Sequence, residues 1–254
     1  MTAPRLVAFD LDDTLAPSKS PLPERMGGLL VRLLGAVEVG VISGGNFAQF
    51  QLQLIDGLPI SDPAALRRLH LMPTCGTQYY RFQGGTWRQQ YAEDLSDTEK
   101  TDAFRALESE AKRLGLWVPD SGGETWGPIL EDRGSQVTFS ALGQAAPVDV
   151  KREWDPSGQR KNSLRAAVAA LLPTLEVRSG GSTSVDVTRR GIDKAYGMRR
   201  LAELTGIPIG AMLFVGDRLD PDGNDFPVIA TGVATQAVDG WEDTADFIEA
   251  FLVG

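Results

Sequence analysis

The stretch from Leu6 to Ser18 constrains the fold more than any other part of the chain. It starts with a short apolar run, Leu6 to Phe9, that leads directly to Asp10 and Asp12. Such a run is typical of a strand buried in a parallel sheet, where ligands bind beyond the carboxyl ends of the strands. Two carboxylates this close repel each other unless a cation or a shared proton relieves them. Because Mg²⁺ takes a few oxygen ligands and leaves room for a substrate phosphate, the stretch predicts a metal-assisted phosphate site.

Apolar segments of strand and helix length alternate at both ends of the chain, which predicts an α/β core with a parallel sheet. The segments expected in this core are strands over 6–9, 37–42 and 211–215, helices over 24–34, 46–55, 194–204 and 241–252, and a hairpin over 79–91. The hairpin turns at Gly84 and Gly85, which suit a tight connection.

The middle of the chain has a different pattern, with short strands and two helices, and this predicts a separate α+β unit. Its expected elements are helices over 96–114 and 161–172 and strands near 128–131, 136–142, 175–178 and 183–187. We therefore expect a discontinuous core of residues 1–90 and 189–254, with residues 91–188 inserted as a second domain.

Composition excludes several kinds of partner. The net charge of -9 argues against nucleic acid or an anionic membrane, because binding either requires a basic face. The single Cys75 allows no intramolecular disulfide, and with His70 as the single histidine no Cys/His zinc cluster is possible. The sequence has no apolar run of about 18 residues and no signal-peptide pattern, so the cytoplasm is the expected location.

A second motif combines a hydroxyl with two glycines where the next predicted strand ends. Ser43, Gly44 and Gly45 follow that strand and precede a predicted helix. A serine hydroxyl and the backbone N–H groups at a helix start can hold a phosphoryl oxygen. Taken alone, the motif is equally consistent with an ordinary helix cap and turn.

The last third of the chain adds a lysine and a further group of acids. Lys194 opens a predicted helix, where its charge opposes the helix dipole, and this favours a functional reason for it. Asp217 follows a predicted strand, just as Asp10 follows the first one. The loop behind it returns Asn224 and Asp225 towards the same edge of the sheet.

The order of these motifs resembles the haloacid dehalogenase (HAD) superfamily over essentially the whole chain. An aspartate at one strand end, a serine at the next, a lysine opening a late helix and an aspartate at a further strand end occur in the characteristic order. The resemblance implies a Rossmann-like core with an inserted α+β cap of the C2 type, as in subfamily IIB. That subfamily contains Cof-like sugar phosphatases, sucrose-phosphate phosphatase and the eukaryotic-type phosphomannomutases.

Two stretches are most similar to the phosphomannomutases. The loop from Gly216 to Asp225 has their pattern GD-x-x-x-P-x-GND, and the run 180–194 has their Gly-Gly, Ser, Asp-Val and Gly-x-Asp-Lys pattern. The chain departs from them at Gln144, where the mutases have an arginine that holds substrate phosphate. The resemblance therefore leaves one phosphate anchor of the mutases without a counterpart.

The resemblance implies covalent catalysis by Asp10. Its carboxylate would attack phosphorus in line and form an aspartyl phosphate. Asp12, protonated at the start, would give its proton to the leaving sugar oxygen and later take one from water or a hydroxyl. Ionised Asp10 and Asp217 with a phosphate dianion carry about four negative charges, against about two from Mg²⁺ and one from Lys194. A protonated Asp12 is consistent with that sum.

The resemblance also implies which groups bind metal, phosphate and sugar. The expected metal-binding residues are Asp10, Asp217 and the main-chain carbonyl of Asp12, supported from outside or through water by Asn224 and Asp225. The expected phosphate-binding groups are the Ser43 hydroxyl and the N–H groups of Gly44 and Gly45. The cap residues expected to select the sugar are Arg133, Ser184 and Asp186, although Arg133 is equally consistent with an ordinary surface ion pair.

These expectations favour a Mg²⁺-dependent HAD-type phosphohydrolase that acts on a small phosphorylated sugar. The alternative is a phosphomannomutase, which interconverts hexose 1- and 6-phosphates, must exclude water and needs extra cationic groups in the cap. A non-enzymatic phospho-acceptor of the receiver type is a third interpretation. It fits less well, because a receiver is about half as long and carries its aspartate on a middle strand.

Overall fold

The computed structural model describes residues 3–180 and 183–253. The chain divides into two compact units, one made of residues 1–92 with 193–254 and the other of residues 93–192. Gly181, which belongs to the glycine pair of the 180–194 pattern, lies outside the described residues.

These limits differ by a few residues from the expected division at 91–188. The reason is local at both ends. Ala92 still pairs with Gln78 in the first unit, so that unit extends further than expected. Arg189 donates a hydrogen bond to the carbonyl of Asp94, 2.9 Å away, which ties residues beyond 188 to the second unit.

The described residues form eleven strands and seven α-helices, numbered here in chain order. The strands are β1 (Leu6–Phe9), β2 (Glu38–Ile42), β3 (Leu69–Met72), β4 (Gln78–Gln83), β5 (Thr86–Ala92), β6 (Leu130–Asp132), β7 (Gln136–Ser140), β8 (Leu175–Ser179), β9 (Ser184–Arg189), β10 (Met212–Gly216) and β11 (Ala234–Ala237). The helices are α1 (Glu24–Ala36), α2 (Phe47–Gln53), α3 (Asp97–Arg113), α4 (Val148–Trp154), α5 (Gln159–Leu171), α6 (Lys194–Thr205) and α7 (Trp241–Val253).

The first unit is built on a seven-stranded sheet in the order β11-β10-β1-β2-β3-β4-β5. The strands from β11 to β3 run parallel, and β4 and β5 add an antiparallel hairpin at one edge. β1 lies inside the parallel part, where Leu6 pairs with both Met212 and Glu38. All residues of β1 are buried, as its apolar run predicts. The prediction of an α/β core with a parallel sheet is confirmed.

The helices of the first unit bury one apolar face each. α1 buries Met26, Leu29, Leu30 and Leu33, whose spacing of three or four residues places them on one face of the helix. α6 begins at Lys194 because the preceding residue, Asp193, caps it by accepting the N–H of Tyr196 at 2.8 Å. It ends at Thr205, and the following Gly206 has a φ of 66°, a left-handed conformation that favours glycine.

The second unit has a four-stranded antiparallel sheet in the order β6-β7-β9-β8. Its apolar face carries Val137, Phe139, Val185 and Val187, which belong to one buried cluster with residues of α3 and α5. The opposite face is polar, since strand side chains alternate between faces. This is the α+β insert that the sequence predicts.

Three elements lie outside the segments predicted from the sequence, namely β3, α4 and β11. No helix within residues 3–180 and 183–253 combines the length and the apolar character needed to cross a bilayer.

Candidate active site

The candidate site begins at the carboxyl end of β1. Asp10 directly follows Phe9, and its backbone N–H donates to the carbonyl of Val215, 3.1 Å away on β10. The Asp10 side chain is only 3% exposed. Because β10 runs parallel to β1 and ends at Gly216, the next residue, Asp217, lies at the same edge of the sheet. The fold thus brings together the two strand-end aspartates singled out in the sequence.

Three carboxylates meet at this edge. Asp10, Asp217 and Asp225 each offer an oxygen atom, and these atoms all lie within 4.8 Å of one another. Asp225 is fully buried, and its Oδ2 accepts the N–H of Arg218 at 3.1 Å. Gly216 makes this packing possible, because a Cβ there would lie 2.4 Å from Oδ2 of Asp225. Asp225 is therefore part of the acidic group itself.

Thr14 joins Asp217 to the loop that follows β1. The fully buried Thr14 hydroxyl donates to Oδ1 of Asp217 and accepts the Asp217 backbone N–H, both at 3.1 Å. Burial raises the pKa of Asp217, and the negative charge of Asp225 raises it further. Both effects mean that a nearby positive charge would be strongly favoured.

Lys194 supplies one such charge from the first turn of α6. Its side chain is 1% exposed, and Nζ lies 2.6 Å from Oδ1 of Asp10 and also donates to Oδ1 of Asp225. Burial alone would lower the pKa of Lys194, but the charges of Asp10 and Asp225 raise it well above its usual value. Burial raises the pKa of Asp10, an effect that Lys194 opposes and Asp225 reinforces.

The donor set fits a hard divalent cation. When ionised, three carboxylates beside one ammonium leave an excess of about two negative charges in a buried place, and Mg²⁺ prefers oxygen ligands. Both oxygens of Asp225 already accept hydrogen bonds, from Lys194 and from Arg218. Asp10 and Asp217 are therefore the better placed ligands. The Asn224 side chain is exposed and makes no hydrogen bond with the described residues.

The serine–glycine motif lies beside Asp10, at the end of β2. Ser43 is 3% exposed, and its carbonyl accepts the N–H of Cys75 at 2.9 Å. The N–H of Gly45 donates to the Ser43 hydroxyl at 3.2 Å, so it is occupied within the motif. A Cβ on Gly44 would meet nothing within 4 Å, which leaves open space above this turn.

Asp12 accepts hydrogen bonds from three residues. Lys19 binds it through its backbone N–H at 2.8 Å and through Nζ at 3.0 Å, and the amides of Gln49 and Gln53 lie at 3.2 and 3.1 Å. Burial would raise the pKa of Asp12, but the charge and N–H of Lys19 and the Gln53 amide together lower it to about 2. These contacts favour the ionised carboxylate, and the expectation that Asp12 starts protonated beside a bound phosphate stays a prediction.

The three cap candidates lie on one antiparallel sheet but not all at one point. Ser184 and Asp186 share a face of β9, and Asp186 accepts the hydroxyl of Thr138 at 2.7 Å. Arg133 lies in the turn between β6 and β7, and its Nε and Nη2 both contact Oε2 of Glu131 at 2.8 Å. Along β7, Asp186 pairs with Thr138 and Ser184 with Ser140, whereas the backbone N–H of Arg133 donates to the carbonyl of Gln136 at 2.8 Å. The structure places Ser184 and Asp186 on one strand face and Arg133 beside the start of β7, two residues along that strand from the partner of Asp186.

Gln144 has an unusual environment. Its Nε2 is buried and has no hydrogen-bond partner among the described residues. The backbone carbonyl of Gln144 accepts a hydrogen bond from Nζ of Lys151 at 2.8 Å, so an ammonium group lies next to the position where the mutases have an arginine. The sequence predicts the loss of the arginine at Gln144, but it gave no indication that Lys151 lies beside this position.

Sequence reasoning also missed the residues that contact Asp12. Gln49 and Gln53 are four residues apart on α2 and therefore lie on the same helix face. That spacing, directly after the serine–glycine motif, was the available signal. Lys19 gave no such signal, because an exposed loop lysine is ordinary.

The chain is similar in sequence to phosphomannomutases. The chain is 24% identical to human phosphomannomutase 1 over 231 residues, which covers 89% of this chain and 83% of that protein. It is 25% identical to the phosphomannomutase of Encephalitozoon cuniculi over 228 residues, covering 87% and 82% of the two chains. No family model matches the sequence.

Solved structures agree on the fold. A haloacid dehalogenase-like hydrolase from Bacteroides thetaiotaomicron superposes with a TM-score of 0.64 at 14% identity, over 97% of this chain and 98% of that one. In sequence the chain is similar to phosphomannomutases, and it has the fold of a haloacid dehalogenase-like hydrolase. The IMP-bound IMP-nucleotidase of Plasmodium falciparum matches this chain with a TM-score of 0.69 at 15% identity, over 99% of this chain and 69% of the nucleotidase. At such identities the structural likeness establishes the fold alone.

Proposed function

We propose that this protein is a Mg²⁺-dependent phosphohydrolase that removes phosphate from a small phosphorylated sugar through an aspartyl phosphate on Asp10. The observation that carries the proposal is the buried Asp10 carboxylate, 2.6 Å from Nζ of Lys194 and grouped with Asp217 and Asp225. A nucleophile in such a site faces a substrate phosphate with cationic charge already beside it.

In the first half-reaction, an oxygen of Asp10 bonds to phosphorus while the bond from phosphorus to the sugar oxygen breaks. Lys194 offsets negative charge at the reacting carboxylate, and the open space above Gly44 is available to the phosphoryl group. The Ser43 hydroxyl can donate to a phosphoryl oxygen there. The sugar oxygen leaves as an alcohol and therefore needs a proton, for which Asp12 is the proposed source.

In the second half-reaction, water attacks the aspartyl phosphate and gives up a proton. Asp12 suits the base role as it stands, because its pKa of about 2 keeps it ionised. To act first as the acid, it must take up a proton from water, and separation of the ion pair with Lys19 would raise its pKa and favour that uptake.

Bound Mg²⁺ would supply charge that neutralises the phosphate dianion and the acids. Asp10 and Asp217 would hold it together with the main-chain carbonyl of Asp12. In the cap, Ser184 and Asp186 are the better supported sugar-binding pair, since they share one strand face. The cytoplasmic location stays a prediction.

Phosphomannomutase activity is the second candidate, and the identity to phosphomannomutases favours it. A mutase must keep water out and hold a bisphosphate in two orientations. Gln144 weighs against this activity, because an amide carries no charge to bind a distal phosphate, whereas arginine binds it in a bidentate way.

The deciding experiment is an incubation with a panel of hexose phosphates and Mg²⁺, with and without a hexose 1,6-bisphosphate. Free phosphate and isomerised sugar are both followed. We expect phosphate release to dominate, and Asp10→Asn to abolish it, because the amide is nearly isosteric but is no nucleophile. Faster conversion of mannose 1-phosphate to mannose 6-phosphate than phosphate release would establish the mutase instead. Retention of more than about 1% of the rate in Asp10→Asn would remove Asp10 from its role.

A further inference from the structure

The Asp12 carboxylate is surrounded by four donors. Oδ1 accepts the backbone N–H of Lys19 at 2.8 Å and Nε2 of Gln53 at 3.1 Å. Oδ2 accepts Nζ of Lys19 at 3.0 Å and Nε2 of Gln49 at 3.2 Å. A carboxylate offers about four lone-pair positions, so both oxygens are fully used and the plane of the group is fixed.

The two glutamine amides are the rigid half of this arrangement. Gln53 is 3% exposed, and its Oε1 accepts Nε2 of Gln49 at 2.5 Å. That contact sets the orientation of both amides, because a flipped Gln53 would turn its oxygen towards Asp12. Gln49 is further confined by Gly45, where a Cβ would lie 2.4 Å from Oε1 of Gln49.

Lys19 contributes one backbone and one side-chain contact. Its backbone N–H at 2.8 Å belongs to the loop, whereas its side chain is 34% exposed and solvent screens its ion pair. The ammonium is a compact point charge and defines the direction of a carboxylate less sharply than a pair of helix-borne amides. The amides also carry no net charge, so they orient Asp12 without altering the charge balance of the phosphate site.

We propose that Gln49 and Gln53 are positioning residues that aim the Asp12 carboxylate at the oxygen between phosphorus and sugar. The inference rests on the proposed phosphohydrolase function, and deepens it by assigning two residues to departure of the alcohol. Misplacing a catalytic group by about 1 Å can cost about 100-fold in rate. The loss of rate caused by a misplaced Asp12 should be larger for a leaving group that needs a proton than for one that departs without it.

The test compares two substrates whose leaving groups differ in how much they need a proton. A hexose phosphate releases an alkoxide that must be protonated, whereas p-nitrophenyl phosphate releases a stable phenolate. The variants are Gln53→Met and Gln49→Met, which keep the length of the side chain and remove the amide. Gln51→Met is the matched control, because Gln51 is on the same helix but donates to Asp56 at 2.5 Å. The quantity measured is kcat/KM, which covers the steps up to departure of the alcohol or phenol.

For Gln53→Met we expect kcat/KM for the hexose phosphate to fall about 10- to 100-fold, which is part of the roughly 10²- to 10⁴-fold that general acid catalysis contributes. The value for p-nitrophenyl phosphate should change less than about threefold, and Gln51→Met should match the wild type with both substrates. Gln49→Met, the less buried change, should show the same selective loss and serves as the second variant if Gln53→Met folds poorly.

Equal losses with both substrates would overturn the inference, since they would indicate a general structural effect or a displaced phosphate loop. No loss with either substrate would also overturn it. In both cases Asp10-dependent turnover by the wild type would leave the proposed function standing. If the wild type turned over neither substrate, or did so without Asp10, the proposed function would fail and the inference with it.

Discussion

Replacing Lys194 by methionine removes the ammonium that Asp10 and Asp225 share in a buried place. Methionine keeps most of the length of the side chain, so the change mainly deletes the charge. Breaking a buried ion pair by removing one partner costs about 3–5 kcal/mol, because the remaining charge stays without compensation. For a unit of this size the cost corresponds to a fall in Tm of roughly 6–20 °C.

The sign of the pH dependence follows from Asp10. Burial already raises its pKa above the usual 3.8, and Lys194 opposes this rise, so the variant raises it further. A carboxyl group with a raised pKa in the folded state destabilises the fold as the pH rises above the unfolded value. The loss of stability should therefore be larger at pH 7 than at pH 5, and it should shrink as the pH falls towards the unfolded pKa of 3.8.

The assay is thermal unfolding followed by circular dichroism at pH 7 in EDTA, with Arg199→Met as the control. Arg199 is exposed on the same helix, so its replacement should change stability by less than about 0.5 kcal/mol. Excess Mg²⁺ should raise the Tm of Lys194→Met more than that of the wild type, because a cation would replace the missing charge. A Lys194→Met protein within about 1 kcal/mol of the wild type in EDTA would refute this account of the site.

Three further predictions concern metal, pH and phosphate. Asp217→Ala should abolish Mg²⁺-dependent phosphate release, and full wild-type activity in EDTA would contradict the metal assignment. Burial lowers the pKa of His70 from its usual 6.5, against the hydrogen bond to Glu38, so the urea midpoint should fall as the pH drops below about 6.5. That fall should be absent in His70→Gln, and an unchanged pH profile would exclude His70 as its origin. Gln144→Arg should strengthen binding of a hexose bisphosphate more than of a monophosphate in calorimetry, and equal effects would count against a distal phosphate at this position.

The parts of the fold that were predicted well are those with local signals. β1 was predicted with its observed limits because four consecutive apolar residues precede a polar turn. α6 was predicted to begin at Lys194, where it does begin, and in the structure Asp193 caps it. In each case the sequence itself contains the reason for the element.

The strands that were missed depend on distant partners. β3 carries His70, whose ring is buried between Tyr79, at 2.7 Å, and Glu38, at 2.9 Å. A histidine in a four-residue run does not indicate a buried strand until those partners are known. β11 has no apolar pattern and is exposed throughout, and it is a strand because it pairs with β10.

The convergence of Asp10 and Asp217 could be predicted because parallel strands bring their carboxyl ends to one edge. The contacts that favour an ionised Asp12 could not be predicted in this way. The charge sum that favoured a proton on it left out two groups that the structure adds, the carboxylate of Asp225 and the ammonium of Lys19.

The negative charge of Asp225 and the positive charge of Lys19 cancel in the net charge of the site, but they do not affect Asp12 equally. Nζ of Lys19 lies 3.0 Å from the Asp12 carboxylate, whereas Asp225 forms an ion pair with Lys194. Since the energy between two charges falls with their separation, the nearer cation lowers the pKa of Asp12, together with the Lys19 N–H and the Gln53 amide. The net charge of an active site therefore bounds how many protons it holds, whereas the assignment of each proton depends on single contacts, such as that between Lys19 and Asp12.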